Sequence, residues 1–389
     1  MSSYLGYDEA WLLEHKAIHT AREIHQQPEL WRQLVGILAD KKDEIDAFMQ
    51  PLKAKRDLRI ILTGAGTSAF AGDAVAPFIQ NNNRFAVEAI ASTDIVSNPE
   101  QYLDPARPTL VVSFARSGNS PESVAAVELA SQVIPECYHL FLTCNGEGQL
   151  AQYADQEKSA LCVLMPERSN DKSFAMTSSF TCMMMASLAV LGDDDTAAFG
   201  ENVDTLATSC ERHIQSWIGK IGQLTDLPYK RLVVLGNGGF AGLAREAALK
   251  SLELSAGKVM TAFDSSLGFR HGPKFIIDSS SLVIQFFSSD TYSRKYDIDL
   301  HNEMQADGQV LGQVALTAES FDADTVVELG SNGLDEQWLL FPYIVFTQML
   351  ALGKSLKLGL TPDNPCPTGE VNRVVQGVTI HTYNANNSN

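Results

Sequence analysis

The chain has 389 residues, 45% of them hydrophobic and 20% charged, which is enough apolar material for two ordinary domains and too much for disorder. With 47 acidic residues against 29 basic ones the formal net charge is -18, which argues against nucleic-acid binding, since affinity there rests on cations neutralising phosphates. Any anionic ligand must therefore be held by a local site.

The N-terminal stretch MSSYLGYDEAWLLEHKAIHTAREIH has no basic region ahead of an apolar run. The longest apolar stretches, FTCMMMASLAVLG and WLLFPYIVFTQMLALG, read as too short or too interrupted to span a bilayer. The expectation is a cytoplasmic protein with neither membrane nor nucleic acid as partner. Cys137, Cys144, Cys162, Cys182, Cys210 and Cys366 form no C-x-x-C pair and read as reduced structural thiols. Residues 1–51 form an N-terminal helical segment, because WLLEHKAIHTAREI and LWRQLVGILADKKDEIDAFM have helical periodicity and no strand-like run interrupts them. His15, His19 and His25 fall near helical spacing, but nothing close by supplies the further ligands a metal needs, and none is expected.

From residue 58 the pattern changes to short apolar runs, RIILTGAG, FAVEAIAS, TLVVSFA, YHLFLTC and ALCVLMP, separated by turns and amphipathic stretches. Near-continuous apolar strands alternating with helices predict parallel sheets covered on both faces, a three-layer α/β/α architecture. The pattern restarts at Leu232 with LVVLGNGG. Gly64 and Gly66 fall on Gly236 and Gly238, and VVSFARSG falls on VIQFFSSD at the same offset of 172. Two related α/β domains follow, at 52–210 and 211–365, with a C-terminal tail at 366–389.

Three motifs could carry chemistry. In LTGAGTSAFAGDA a strand turns into a helix, and Gly64, Gly66 and Ala69 satisfy the dinucleotide pattern G-x-G-x-x-G/A, with Glu88 and Asp94 downstream as candidate ribose ligands. The same turn would suit any phosphate, and Thr67 and Ser68 add hydroxyls; a turn that only connects strand to helix is the plain alternative. In SFARSGNSPES a second donor-rich turn emerges on the same carboxyl edge, so both turns can share one phosphate. Arg116 would bring positive charge, and Ser117 and Ser120 hydroxyls. Ser113 reads as a buried strand hydroxyl bonded to backbone and Ser123 as a first-turn helix residue. In the third, residues 244–278, Glu246, Lys250 and Glu253 share one face of an otherwise apolar helix, and His271 follows in a Gly-Pro turn. A carboxylate and an imidazole near a phosphate-anchored sugar are what proton shuttling requires, although a solvated ion-pair row is the usual meaning of such spacing.

The residues GAGTS, SFARSGNSPES, EAALKSLE and FRHGPKFIID together resemble the sugar-isomerase (SIS) domain family, in the tandem pair found in the isomerase half of glucosamine-6-phosphate synthase. The helical N-terminus and the ending NPCPTGEVNRVVQGVTI are most similar to its AgaS branch of galactosamine-6-phosphate deaminase/isomerases, also described as tagatose-6-phosphate ketose/aldose isomerases. The resemblance covers residues 40–381. It implies two flavodoxin-like SIS domains, a homodimer or homotetramer with active sites between subunits, and no metal or organic cofactor. It assigns phosphate binding to Ser68, Ser117, Gly118 and Ser120, to which the reading of the two turns adds Gly66, Thr67 and Arg116, proton transfer to Glu253, ring opening to His271 and support to Glu246 and Lys250. Ser173 and Thr177 fall where the family lines its sugar site, with helix capping as the competing role.

Departures from the synthase are informative. Ala115 and Arg116 stand where it has serine and glutamine, Gln376 stands where it has a Schiff-base lysine, and no glutaminase domain precedes the pair. The resemblance thus implies a degradative reaction on a small hexosamine or ketohexose 6-phosphate. Galactosamine 6-phosphate would give tagatose 6-phosphate and ammonia by ring opening, C2-to-C1 proton transfer and imine hydrolysis. Isomerisation without deamination, or deamination of glucosamine 6-phosphate, uses the same groups. A sugar-phosphate sensor or a dinucleotide-dependent oxidoreductase are the alternatives from other classes.

Overall fold

The computed structural model describes residues 3–192, 196–323, 326–330, 333–373, 375 and 377–384. The chain opens with a hairpin, β1 (Ser3–Tyr4) and β2 (Tyr7–Asp8), then α1 (Glu9–Glu14), α2 (Ile18–His25), α3 (Gln27–Asp40) and α4 (Lys42–Lys53). The hairpin departs from the all-helical expectation. Its two-residue strands are too short to show alternation, and its turn is made by Leu5 and Gly6 at φ 54 and 87.

The first α/β half follows as β3 (Arg59–Thr63), α5 (Thr67–Asn81), β4 (Ala86–Ala89), α6 (Ser92–Ser97), α7 (Pro99–Tyr102), β5 (Thr109–Ala115), α8 (Pro121–Val133), β6 (Cys137–Thr143), α9 (Gln149–Gln156), β7 (Ala160–Leu164) and α10 (Ser178–Leu191). After α11 (Thr196–Asp226) come β8 (Arg231–Gly236), α12 (Gly239–Leu254), β9 (Met260–Asp264), β10 (Ser281–Phe286), α13 (Ser293–Asp307), β11 (Gly312–Thr317), β12 (Val326–Glu328) and α14 (Leu340–Lys357).

Both sheets are five-stranded and parallel, ordered β4-β3-β5-β6-β7 and β9-β8-β10-β11-β12. In each, the chain reverses its direction of travel between the first and third strands, the point where a doubly wound sheet opens a crevice at its carboxyl edge. Arg59 pairs with Thr109 and Arg231 with Ser281; Thr63 pairs with Ser113 and Leu235 with Gln285. The offset of 172 seen in the sequence is therefore also the offset of strand register.

Burial explains the apolar runs. All seven residues of β5 and all six of β10 are buried, as parallel strands flanked by helices must be. Against the first sheet, Ile61, Val111, Ala126 and Ile134 form a core that Tyr383 of the tail joins; against the second, Val233, Phe269, Val283 and Leu300 do the same. The stretch Glu336–Lys357 is 22 helical residues, long and apolar enough to cross a membrane, but 94% of its apolar window is buried inside the fold. It is longer than the sequence pattern suggested because the preceding turn continues into α14.

By compactness the chain divides into two units. One comprises the chain up to Glu29, Asp171–Thr177 and Glu201–Glu370; the other comprises Leu30–Asn170, Ser178–Gly200 and the chain from Val371 onward. The N-terminal helices are thus shared out, and the short segment 171–177 belongs with the second sheet.

Candidate active site

In the unit built on the first sheet, two turns leave adjacent strands on the same edge. The first is steric in origin. A Cβ on Gly64 would lie 2.6 Å from the Ser68 backbone, and Gly66 sits at φ 57, ψ -127 as the N-cap of α5. Glycine offers no side-chain acceptor there, so the positive end of the 15-residue α5 has no side-chain cap. Thr67 and Ser68 begin the helix and are buried.

The second turn leaves β5 at Arg116, which is only 6% exposed and donates from its Nη2 to the main-chain carbonyl of Arg373 at 3.0 Å. Gly118 takes φ 63 and Ser120 is the N-cap of α8, with Pro121 at the first helical position. The Ser120 hydroxyl donates to Ser123 at 2.6 Å instead of capping, while Ser117 Oγ accepts from the Asn119 amide at 3.3 Å. Ser123 is thus a first-turn helix residue, as its position predicts. Ser113 is not as expected: its buried hydroxyl has no hydrogen-bond partner among the described residues, and neither do those of its register neighbour Thr63 and of Ser92, whose amide bonds to the Gly64 carbonyl. Three buried donors without protein partners thus lie around the two turns, the feature expected where a polar ligand or water completes the site.

Glu88 is already committed. It pairs with Arg59 at 2.5 Å, while Asp94 is exposed on α6, so neither candidate ribose ligand is arranged around the glycine turn.

In the unit built on the second sheet, Glu246, Lys250 and Glu253 lie on one face of α12. The face is not solvated: the side chains of Glu246 and Lys250 are 0% and 1% exposed, and only Glu253, at 22%, reaches the surface. Lys250 Nζ is 3.5 Å from Glu246 Oε1 and donates to Glu253. Burial works against the charge on Lys250, but the two carboxylates beside it outweigh that and raise its pKa above the ordinary lysine value. The lysine thus stays cationic and fixes the Glu253 carboxylate in position.

His271 ends a 3-10 turn after β9 and is exposed. Along β9 and the turns that follow it, Met260, Phe263 and Leu267 are about half exposed at 56%, 46% and 43%, and Phe275 is 93% exposed. The turn is clamped to α13: Arg270 reaches Glu303 at 2.8 Å, and Lys274 binds both Glu303 and Asp307, the latter at 2.6 Å.

Ser173 and Thr177 belong to the same unit and are fully buried. Their hydroxyls are engaged inside the fold, Ser173 with Thr20 at 2.7 Å and Thr177 with Asp171 at 3.3 Å. Asp171 also accepts the Thr177 amide at 2.9 Å, and Glu23 accepts the Ser173 amide at 3.2 Å. Burial, then the neighbouring Asp171, raises Glu23 far above the ordinary carboxylate range. The segment 171–177 is therefore pinned by carboxylates that sequence reading missed. Glu23 lies about 150 residues from its partners, too far for any local signal. Ala175 packs on Leu254 of α12, which brings the segment beside the helix that carries Glu253. Gln376 lies outside the described residues.

The SIS domain family matches residues 53–191. The D-galactosamine-6-phosphate deaminase AgaS of Shewanella sp. (strain ANA-3) is 47% identical over 375 residues, covering 96% of this chain and 94% of that protein. The solved structure of tagatose-6-phosphate ketose/aldose isomerase from Escherichia coli is 43% identical, with a TM-score of 0.88 over 94% of this chain and 97% of that one. The isomerizing glutamine–fructose-6-phosphate aminotransferase of Sulfolobus acidocaldarius is 23% identical over 361 residues, 88% of this chain and 54% of that protein. The chain belongs to the SIS family, in its AgaS branch.

Proposed function

We propose that the chain is an amino-sugar phosphate deaminase/isomerase that converts galactosamine 6-phosphate to tagatose 6-phosphate and ammonia. The observation that carries the reading is the charged row on α12, buried at Glu246 and Lys250 and open at Glu253. Close similarity to AgaS deaminases over nearly the whole chain supports the choice of substrate.

In this scheme the turns 64–68 and 116–120 take the 6-phosphate, with Arg116 as the cation. His271 moves a proton to open the pyranose ring. Glu253 then removes the C2 proton and returns it at C1, leaving a 2-imine. Water adds to that imine and releases ammonia, giving the ketose phosphate. The substrate brings its own nitrogen, so no lysine imine is called for. The exposed apolar residues along β9 and the turns that carry His271 support a second copy of the chain seated there, with active sites between subunits in a homodimer or homotetramer. We assign the enzyme to the cytoplasm, where sugar phosphates are retained by their charge.

Isomerisation without loss of nitrogen is the second reading, favoured by the likeness to the Escherichia coli ketose/aldose isomerase. An ammonia-release assay on galactosamine 6-phosphate, with glucosamine 6-phosphate and tagatose 6-phosphate alongside, separates the two. Ammonia equal in amount to the ketose phosphate formed is the expected result. Interconversion of tagatose 6-phosphate without ammonia from either amino sugar would select the second reading, and inactivity on all three would end both.

A further inference from the structure

The second sheet repeats the joint of the first. Gly236 and Gly238 take the places of Gly64 and Gly66, and α13 begins 172 residues after α8, at Ser293 against Pro121. On this register Ser288, Ser289 and Asp290 stand where Arg116, Ser117 and Gly118 stand in the first half, and Gly239 and Phe240 replace Thr67 and Ser68. The donors of the second loop nevertheless converge. Ser288 Oγ and the Ser289 amide, at 2.9 Å, donate to one oxygen, Oε1 of Glu336, which arrives from the turn before α14, and the Asp290 amide is shared between that oxygen, at 3.4 Å, and Ser288 Oγ, at 3.1 Å. Successive amides aimed at one oxygen form an anion-binding nest; beyond it, where α13 begins, the amides of Tyr292 and Ser293 are taken by Asp290 Oδ1 at 3.1 and 2.8 Å, so the nest and not the helix end supplies the donors.

A second carboxylate fills the adjoining turn. Asp297, fully buried, accepts from Asn237 Nδ2 at 2.7 Å, from Ser266 Oγ, and from the Ser288 amide at 3.0 Å. Where the first half leaves the hydroxyls of Thr63, Ser92 and Ser113 without partners among the described residues, Gln285 at the place of Ser113 donates from its Nε2 to Ser266 and to the Asp297 carbonyl, its Oε1 alone lacking a partner there. Arg294, which donates to the Ser288 carbonyl and to Thr317, brings positive charge to the loop.

We propose that the Ser288–Asp290 loop is a second oxyanion cradle, occupied by the chain's own Glu336 carboxylate, and that this internal occupant limits each chain to one phosphomonoester. The ligand class is a tetrahedral oxyanion, inorganic phosphate being the simplest. The inference takes from the proposed function only that the first-half loop holds phosphate.

The test measures thermal unfolding and equilibrium binding with inorganic phosphate, against chloride at equal ionic strength, in wild type, R116A, E336A, E336Q and the R116A/E336A double variant. Wild type should bind one phosphate per chain, R116A none, E336A two and the double variant one. E336A should unfold a few degrees lower than wild type and recover saturably with phosphate but not chloride. E336Q keeps an oxygen in the nest and should gain no site. Where E336A folds poorly, its refolding yield in phosphate against chloride gives the same reading. No gain of a site in E336A in either background, or an equal gain in E336Q, would overturn the proposal. Unaltered phosphate binding in R116A would instead count against the first-half reading and leave the comparison at Glu336 intact.

Discussion

Glu253 differs from its two neighbours on α12 in one respect, that solvent reaches it. A base that takes a proton from a substrate must be accessible, whereas its supports are better buried, where the charge of Lys250 is little screened. Replacing Glu253 by Gln keeps the shape and removes the base. E253Q should keep its fold and its phosphate affinity, lose turnover by about 10²–10⁴-fold, and lose solvent deuterium incorporation at the sugar carbon. Retained deuterium exchange in a folded E253Q would assign the proton transfer to another group. The spacing of Glu246, Lys250 and Glu253 was legible in the sequence, but the dryness of their face was not, because periodicity reports which residues share a face and not what covers it. Arg116 shows the limit more sharply. Its partner in the fold is a main-chain carbonyl 257 residues away, and a carbonyl has no sequence signature.

At the level of elements, His271 depends on α13. A short 3-10 turn has few internal bonds to hold a side chain, and here the residues flanking the histidine, Arg270 and Lys274, are both tied to Glu303. These partners are roughly a third exposed, so each pair adds little to stability, on the order of 0–1 kcal/mol. Their consequence is positional. E303A should leave unfolding and phosphate affinity nearly unchanged yet slow turnover of the closed sugar by about 10- to 100-fold, the scale of loss that a misplaced catalytic group causes. E303D should restore part of it, and added salt should lower the wild-type rate toward the variant's. Full activity in E303A would show that the turn holds His271 without help. The sheets themselves were readable from unbroken apolar runs, since only a strand covered on both faces needs them. The N-terminal hairpin was not, since two-residue strands leave no pattern.

Across the whole molecule, each half carries a buried histidine whose contribution to stability acid should remove. His139 on β6 and His301 on α13 are each 1% exposed, and burial pulls each down to about 4 from the ordinary 6.5. A histidine whose folded pKa is depressed adds stability above its unfolded pKa and loses it as pH falls toward the folded one. Denaturant unfolding should therefore show a loss of about 2 kcal/mol per histidine between pH 7 and pH 5. Glu23 and Asp297 oppose this, because burial raises them to about 9 and about 6, so the folded state holds protons that the unfolded chain releases and their contributions grow as pH falls from those values. H139L and H301L should each flatten the pH profile by about one proton, whatever they do to stability at pH 7; an unchanged slope would mean that the imidazole takes up its proton in the folded chain too. The repeat was legible at this scale as an offset of 172. The placing of residues 171–177 with the second sheet was not, because it rests on acceptors from the N-terminal and C-terminal parts of that unit, the Glu23 carboxylate and the main-chain carbonyl of Asp363.

A Cβ on Gly236 would meet Phe240 at 2.7 Å as one on Gly64 would meet Ser68, and Gly238 repeats the backbone of Gly66 to within a few degrees, at φ 55 and ψ -128. One of these joints is proposed to receive substrate and the other to hold only the chain's own carboxylates, yet both keep the same glycines. In this fold, then, the glycine pair is a signature of carpentry: it records how closely a helix must start beside its strand, and is silent about cargo. A pattern search that takes such glycines as nucleotide contacts counts joints and mistakes them for sites. What tells the two joints apart is the company each keeps, hydroxyls without partners among the described residues at one and carboxylates at the other.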